Sequence, residues 1–337
     1  MTWADEVLAG HPFVVAHRGA SAARPEHTLA AYDLALKEGA DGVECDVRLT
    51  RDGHLVCVHD RRLDRTSTGA GLVSTMTLAQ LRELEYGAWH DSWRPDGSHG
   101  DTSLLTLDAL VSLVLDWHRP VKIFVETKHP VRYGSLVENK LLALLHRFGI
   151  AAPASADRSR AVVMSFSAAA VWRIRRAAPL LPTVLLGKTP RYLTSSAATA
   201  VGATAVGPSL PALKEYPQLV DRSAAQGRAV YCWNVDEYED IDFCREVGVA
   251  WIGTHHPAAP RPGWKTGGRT GPLADPRQGS RGGPRQRAGR LMRPAPHPLH
   301  VRRSSPARTG WPRPDRQPAP GLPSRPPLRS VPARTTA

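Results

Sequence analysis

Residues 42–60 read GVECDVRLTRDGHLVCVHD, and the fold is decided by how this stretch is divided. Gly42 to Leu49 has the length and apolar content of a strand. Arg51-Asp52-Gly53 supplies hairpin turn chemistry, and His54 to His59 reads as a returning strand. Glu44 and Asp46 stand two apart, so a strand places both on one face. A turn centred between Asp52 and Gly53 sets His59 across from Asp46. A slip of one residue would turn the set to the opposite face.

Working outward, short apolar runs alternate with longer amphipathic ones. Strands are expected at Phe13–Ala16, Val121–Glu126, Ala161–Ser165, Thr183–Leu186, Thr204–Val206, Ala229–Trp233 and Ala250–Gly253. Helices are expected at Thr28–Lys37, Leu107–Leu115, Gly134–Phe148, Ala168–Ala177 and Tyr238–Val247. If the strand after Asp52-Gly53 is only the return arm of a hairpin, eight β/α units remain in about 250 residues, the size of a closed (β/α)₈ TIM barrel of the α/β class. An open doubly wound sheet is the rival. Against it, His17-Arg18-Gly19 follows the first strand where a Gly-rich phosphate loop would be needed. The stretch after His59, about residues 61–102, mixes Gly, Ser, Asp and Arg and reads as a small insertion.

Barrel enzymes keep their sites at the C-terminal ends of the strands. There the sequence puts His17-Arg18, the Glu44/Asp46 pair, His59-Asp60 and Glu126-Thr127-Lys128. Three converging carboxylates, Glu44, Asp46 and Glu126, repel one another and need an offset. One divalent cation with oxygen ligands, Mg²⁺ or Ca²⁺, would supply it. So would an ion-paired set held by Arg18 and Lys128 without metal. His17 and His59, on separate strand ends, suit a proton donor and a proton acceptor near neutrality. Arg18 and Lys128 suit an anionic group such as phosphate. The combination points to phosphoryl transfer or phosphodiester cleavage.

These residues resemble the glycerophosphodiester phosphodiesterase family, within the phospholipase-C-like phosphodiesterase barrels. The resemblance runs from about His11 to Pro257. It rests on His17-Arg18-Gly19, Pro25-Glu26-His27-Thr28, Glu44-Cys45-Asp46-Val47, His59-Asp60, Leu63 to Gly69, Glu126-Thr127-Lys128, Ser165-Phe166, Trp233-Asn234-Val235-Asp236 and Gly248 to Thr254. It implies a TIM barrel that hydrolyses a small-molecule glycerophosphodiester to sn-glycerol 3-phosphate and an alcohol. It further implies Glu44, Asp46 and Glu126 as metal ligands, His17 and His59 as the acid–base pair, and Arg18 and Lys128 as phosphate holders. Glu26 is expected near the metal and glycerol site, with Phe166 and Trp233 in the pocket wall. A lysolipid phosphodiesterase and a barrel that only binds are the other readings. Two positions depart from the family pattern: His27 where Asn is usual, and Asp236 where an amide is usual.

The chain has 337 residues and a formal charge of +13, which alone would suggest a polyanionic partner. The charge is unevenly placed. Residues 258–337 hold 17 of the 44 Lys and Arg and 2 of the 31 Asp and Glu, together with 17 of the 30 prolines. Such a segment cannot bury enough apolar surface to order its backbone, and it reads as a disordered tail beyond a barrel domain of residues 1–257. No specific nucleic-acid partner follows from it. Cys45, Cys57, Cys232 and Cys244 form no CxxC pair and read as buried free thiols. With no leader-like or membrane-spanning run, a cytoplasmic location is expected. Nothing in the sequence bears on oligomeric state.

Overall fold

A computed structural model describes residues 12–258, apart from 95, 133 and 195. The readings made of the N-terminal segment and of the basic tail lie outside the described residues. The elements that position the site are strands β1 (Phe13–His17), β2 (Gly42–Leu49), β3 (Leu55–Cys57), β4 (Lys122–Thr127), β5 (Ala161–Ser165), β6 (Thr183–Gly187), β7 (Ala205–Pro208), β8 (Ala229–Trp233) and β9 (Trp251–Thr254). All pair in parallel except β3, and β1 pairs with both β2 and β9, so eight strands close into a ring. This is the (β/α)₈ barrel.

Alternation along each strand separates two layers. Val15, Phe124, Met164, Val184, Leu186, Tyr231 and Trp251 point inward and fill the barrel. Val43, Cys45, Val47, Ile123 and Val125 point outward against helices. The helix Leu107–Asp116 shows why these segments coil where they do. Thr106 caps its first turn by accepting the Ala109 N–H, and Leu107, Leu110, Val111 and Val114 form one buried stripe. Thr28 caps Leu29–Lys37 in the same way, through the Ala31 N–H. The segment after β3 packs a small core of its own, with Val58, Leu63, Val73, Leu81 and Tyr86.

The hairpin register differs from the expected one. Val47 faces Cys57 and Leu49 faces Leu55, so Asp46 stands opposite Val58, whose N–H donates to the Asp46 carbonyl at 3.0 Å. The cause is the turn. Its loop is the three residues Arg51-Asp52-Gly53, closed by Thr50 N–H donating to His54 O, with Gly53 at φ 81°. A three-residue loop with glycine in the left-handed region shifts the partner strand by one relative to a two-residue turn. His59 therefore reaches the site from beyond the ladder, and its carbonyl accepts Arg48 Nε and Nη2. All four cysteines are buried free thiols. No helix among the described residues is long and apolar enough to cross a membrane.

Candidate active site

The carboxylates come together because of strand register. Across β1, β2 and β4, His17 faces Glu44 and Asp46 faces Glu126. Glu44, Asp46 and Glu126 are buried, and each offers one oxygen within 4.8 Å of the others. Cations surround them. Lys128 Nζ lies 2.8 Å from Asp46 Oδ1 and 2.7 Å from Glu126 Oε1. Arg18 Nε is 3.1 Å from Asp46 Oδ2, and His27 Nε2 is 2.9 Å from the same oxygen. Arg18 and His27, which both reach Asp46 Oδ2, sit at φ 61°, a costly conformation for residues with a Cβ.

The electrostatics of the set are divided. Burial opposes ionisation of Asp46, but Lys128, His27 and Arg18 outweigh it and hold its carboxyl well below the usual range. Burial, then repulsion from Asp46 and Glu126, pushes Glu44 well up. Burial and Asp46 push Glu126 up to about 8. Two of three carboxylates thus lack enough positive charge to ionise comfortably. Asp46 Oδ1 is also buried without an aligned hydrogen bond, despite its short distance to Lys128. An all-oxygen set with repelling charges and an orphaned oxygen fits a hard divalent cation.

The two histidines are held differently. His59 Nδ1 lies 2.6 Å from Asp60 Oδ1, and Asp60 Oδ2 accepts Arg65 Nε at 2.6 Å. His17 has no carboxylate at Nδ1. Instead it meets His255 Nε2 at 3.0 Å, and His255 Nδ1 lies 2.7 Å from Asp236 Oδ2. Burial, Arg18 and His255 hold His17 well below the ordinary imidazole range. Burial also lowers His59, though less, with Asp46 and Asp60 acting against it.

A cavity of about 380 Å³ opens over this set at the C-terminal end of the barrel. His17, Arg18, Glu44, His59, Glu126 and Lys128 line it, and Phe166 and Trp233 meet edge to face at 5.5 Å in its wall. Trp233 Nε1 donates to Gly207 O, which fixes the indole. Glu26 is placed outside this lining. It accepts Arg18 at 3.2 Å and both terminal nitrogens of Arg65, and these pairs hold its carboxyl near 2 against burial. Asp46 is fully buried behind the lining.

Comparison with known proteins places this geometry. A profile of the glycerophosphoryl diester phosphodiesterase family matches residues 17–259. A curated Mycobacterium tuberculosis protein, "Probable glycerophosphodiester phosphodiesterase 1", is 97% identical over 269 residues, covering 80% of this chain and 98% of that one. The chain belongs to the glycerophosphoryl diester phosphodiesterase family. A Bacillus subtilis glycerophosphodiester phosphodiesterase is 32% identical over 247 residues, covering 72% of this chain and 83% of that one. Among solved structures, a glycerophosphodiester phosphodiesterase from Agrobacterium tumefaciens superposes with a TM-score of 0.58 at 28% identity, covering 73% of this chain and 97% of that one. An Oleispira antarctica phosphodiesterase, solved with sn-glycerol-3-phosphate, shares the fold at a TM-score of 0.64 and 21% identity, covering 75% and 96%.

Several lining residues of this phosphodiesterase escaped the sequence reading. Lys188 follows β6, opposite β1 in the ring, and Arg61 follows His59-Asp60; both line the cavity. His255 was missed although it directly follows β9, a strand end of the kind that carries barrel chemistry. His27 is more than a bulky amide replacement. Tyr32 donates its own proton to Glu44 O, and the His27 ring bridges the two groups, with Nδ1 2.9 Å from the Tyr32 hydroxyl and Nε2 2.9 Å from Asp46 Oδ2. Trp89, Trp93 and Tyr86 lie outside the lining of the cavity, and Tyr86 is buried in the core of the insertion.

Proposed function

We propose that this phosphodiesterase hydrolyses water-soluble glycerophosphodiesters to sn-glycerol 3-phosphate and an alcohol. The observation that carries the reading is the meeting, in one cavity, of a buried carboxylate triad with two histidines and the cations Arg18, Lys128, Lys188 and Arg61. Glu44, Asp46 and Glu126 would hold one divalent cation, Mg²⁺ or Ca²⁺. When bound, such an ion supplies Lewis-acid stabilisation of negative charge on the phosphoryl oxygens.

The chain's own groups do the rest. Arg18 and Lys128 hold the phosphate from the carboxylate side, and Lys188, after β6, stands across the barrel from Arg18. Phe166 and Trp233 wall the space for the substrate's apolar surface. His17 and His59 move the two protons: one is taken from the attacking hydroxyl, whether of water or of the substrate's glycerol, and one is given to the leaving alcohol. An anionic diester between them raises the proton affinity of His59. The complex of the Oleispira antarctica phosphodiesterase with sn-glycerol-3-phosphate supports that reading of the product. A cavity of about 380 Å³ matches a deacylated head group better than a lysolipid with its acyl chain.

The test is product identity. The full chain is incubated with glycerophosphocholine, and glycerol 3-phosphate, choline and phosphocholine are assayed separately. Glycerol 3-phosphate and choline, absent with Glu44→Ala and His17→Ala, are expected. Phosphocholine would mean that the other ester bond is cut.

A further inference from the structure

We propose that Asp236 and His255 form a positioning relay that fixes the tautomer of His17, making His17 the general base and leaving His59 as the general acid. The inference rests on the reading of His17 and His59 as the proton-transfer pair, and it deepens that reading by dividing the two roles.

The geometry runs in one direction. Asp236 Oδ2 lies 2.7 Å from His255 Nδ1, and a carboxylate only accepts, so Nδ1 carries the proton. A neutral His255 then has its lone pair on Nε2, which faces His17 Nδ1 at 3.0 Å. Asn234 Nδ2, another donor, lies 3.4 Å from the same Nε2. His17 Nδ1 must therefore carry hydrogen, and Nε2 is left as the bare nitrogen. That nitrogen belongs to a ring lining the cavity, and it lies 3.8 Å from Glu44 Oε2.

The carboxylate that starts the relay cannot turn. Asp236 Oδ1 accepts the His255 backbone N–H at 2.8 Å and the Thr254 hydroxyl at 2.9 Å. The Thr254 hydroxyl oxygen is itself taken by the His256 N–H. Two donors thus pin one oxygen, and the other must face His255. The relay spans three neighbouring strands of the ring, because Asp236 follows β8, His255 follows β9 and His17 ends β1.

In the step this implies, His17 Nε2 takes the proton of the attacking hydroxyl. The oxygen's electron pair forms the new P–O bond. The P–O bond to the leaving alcohol breaks, its electrons go to the alcohol oxygen, and that oxygen takes a proton from His59. The proton on His17 Nδ1 stays in place, donating to His255, and none passes to Asp236. Asp236 and His255 act by orientation and by stabilising the imidazolium.

The pinned oxygen makes a sharp test. In Asp236→Asn the amide oxygen is held by the same two donors, so the NH₂ must face His255 Nδ1. Each proton downstream then moves over: His255 donates from Nε2 to His17 Nδ1, and the His17 hydrogen sits on Nε2. With glycerophosphocholine as substrate, kcat of the full chain should fall by about 10²-fold or more while KM stays within about twofold. Nitrogen-15 spectra should show His17 Nε2 as a lone-pair nitrogen in the parent chain and as N–H in Asp236→Asn. His255→Gln, whose Oε1 can still accept from His17 Nδ1, should lose less than Asp236→Asn. Adding Asp236→Asn to it should cost little more, since the carboxylate no longer sets the tautomer. Full kcat in Asp236→Asn, additive effects in the double variant, or hydrogen on His17 Nε2 in the parent chain would each overturn the relay. A His17→Ala variant at full turnover would instead sink the base reading beneath it. An inactive His17→Ala beside a fully active Asp236→Asn would sink the relay alone.

Discussion

The two histidine wings of the cavity solve one problem in two ways. On the hairpin side, His59 takes its carboxylate from the next residue, Asp60, which Arg65 in turn pins from five residues on. On the closing side of the barrel, His17 reaches a carboxylate only through a second histidine that is 238 residues away in sequence. The first wing is a local motif on one loop. The second exists only once β9 pairs with β1, so barrel closure and assembly of that wing are the same event. The wings also differ in burial: the His17 side chain is 10% exposed and that of His59 32%. A buried ring held at one remove suits a neutral base, and a more exposed ring beside a carboxylate suits a group that must carry a proton.

The largest expected effects fall on the histidines themselves. His17→Ala and His59→Ala should each lower kcat by about 10²- to 10⁴-fold with KM little changed, read by glycerol 3-phosphate release. A variant whose loss lies wholly in KM would break the comparison, because that histidine would then bind substrate and not move protons.

A smaller effect concerns the triad between the wings. Burial first of all pushes Glu44 well up and Glu126 to about 8, so a divalent cation bound there would displace a proton from Glu126 at neutral pH. Affinity should rise with pH by about tenfold per unit for each proton displaced, up to about pH 8 for Glu126. Calorimetry in buffers of different ionisation enthalpy reads that release directly. Binding of Ca²⁺ or Mg²⁺ with no proton release would contradict it.

Asp60→Asn should cost about tenfold in kcat, much less than Asp236→Asn. Each Asp60 oxygen has a single partner, so the amide oxygen can stay on His59 and give up only the Arg65 bond. Equal losses in the two variants would erase the distinction between the wings. The smallest effect is on stability. Burial opposes ionisation of Asp60 and Asp236, but Arg65 and His59 hold Asp60, and His255 and Thr254 hold Asp236, below the ordinary aspartate range. Folded-state values that are depressed contribute stability above the unfolded value near 3.9, and it is lost as pH falls through the folded ones. Urea midpoints should drop on acidification in that window, and less steeply in either Asn variant.

What was legible in the sequence follows the same division. Strand alternation, which repeats every two residues, puts Glu44 and Asp46 on one face, and the strand ends mark His17, His59 and Glu126. The one-residue error in hairpin register came from the turn, where Arg51-Asp52-Gly53 alone does not say whether two or three residues form the loop. The His255 relay was not legible for a different reason. Nothing local to Thr254-His255 or to Asp236 marks them as partners of His17. Only the ring order β1-β9-β8 brings them together. Glu26 shows the converse: its motif draws attention to the site, while its charge is spent on Arg18 and Arg65 beside the cavity.

Metal-dependent turnover tests the central claim most directly. The full chain is stripped with EDTA, assayed on glycerophosphocholine, and assayed again after Mg²⁺ or Ca²⁺ is restored. Activity should vanish on stripping and return with one of the two ions, but not in Glu44→Ala. Undiminished glycerol 3-phosphate release in EDTA would contradict the account and leave the carboxylates as an ion-paired set held by Arg18, Lys128 and His27.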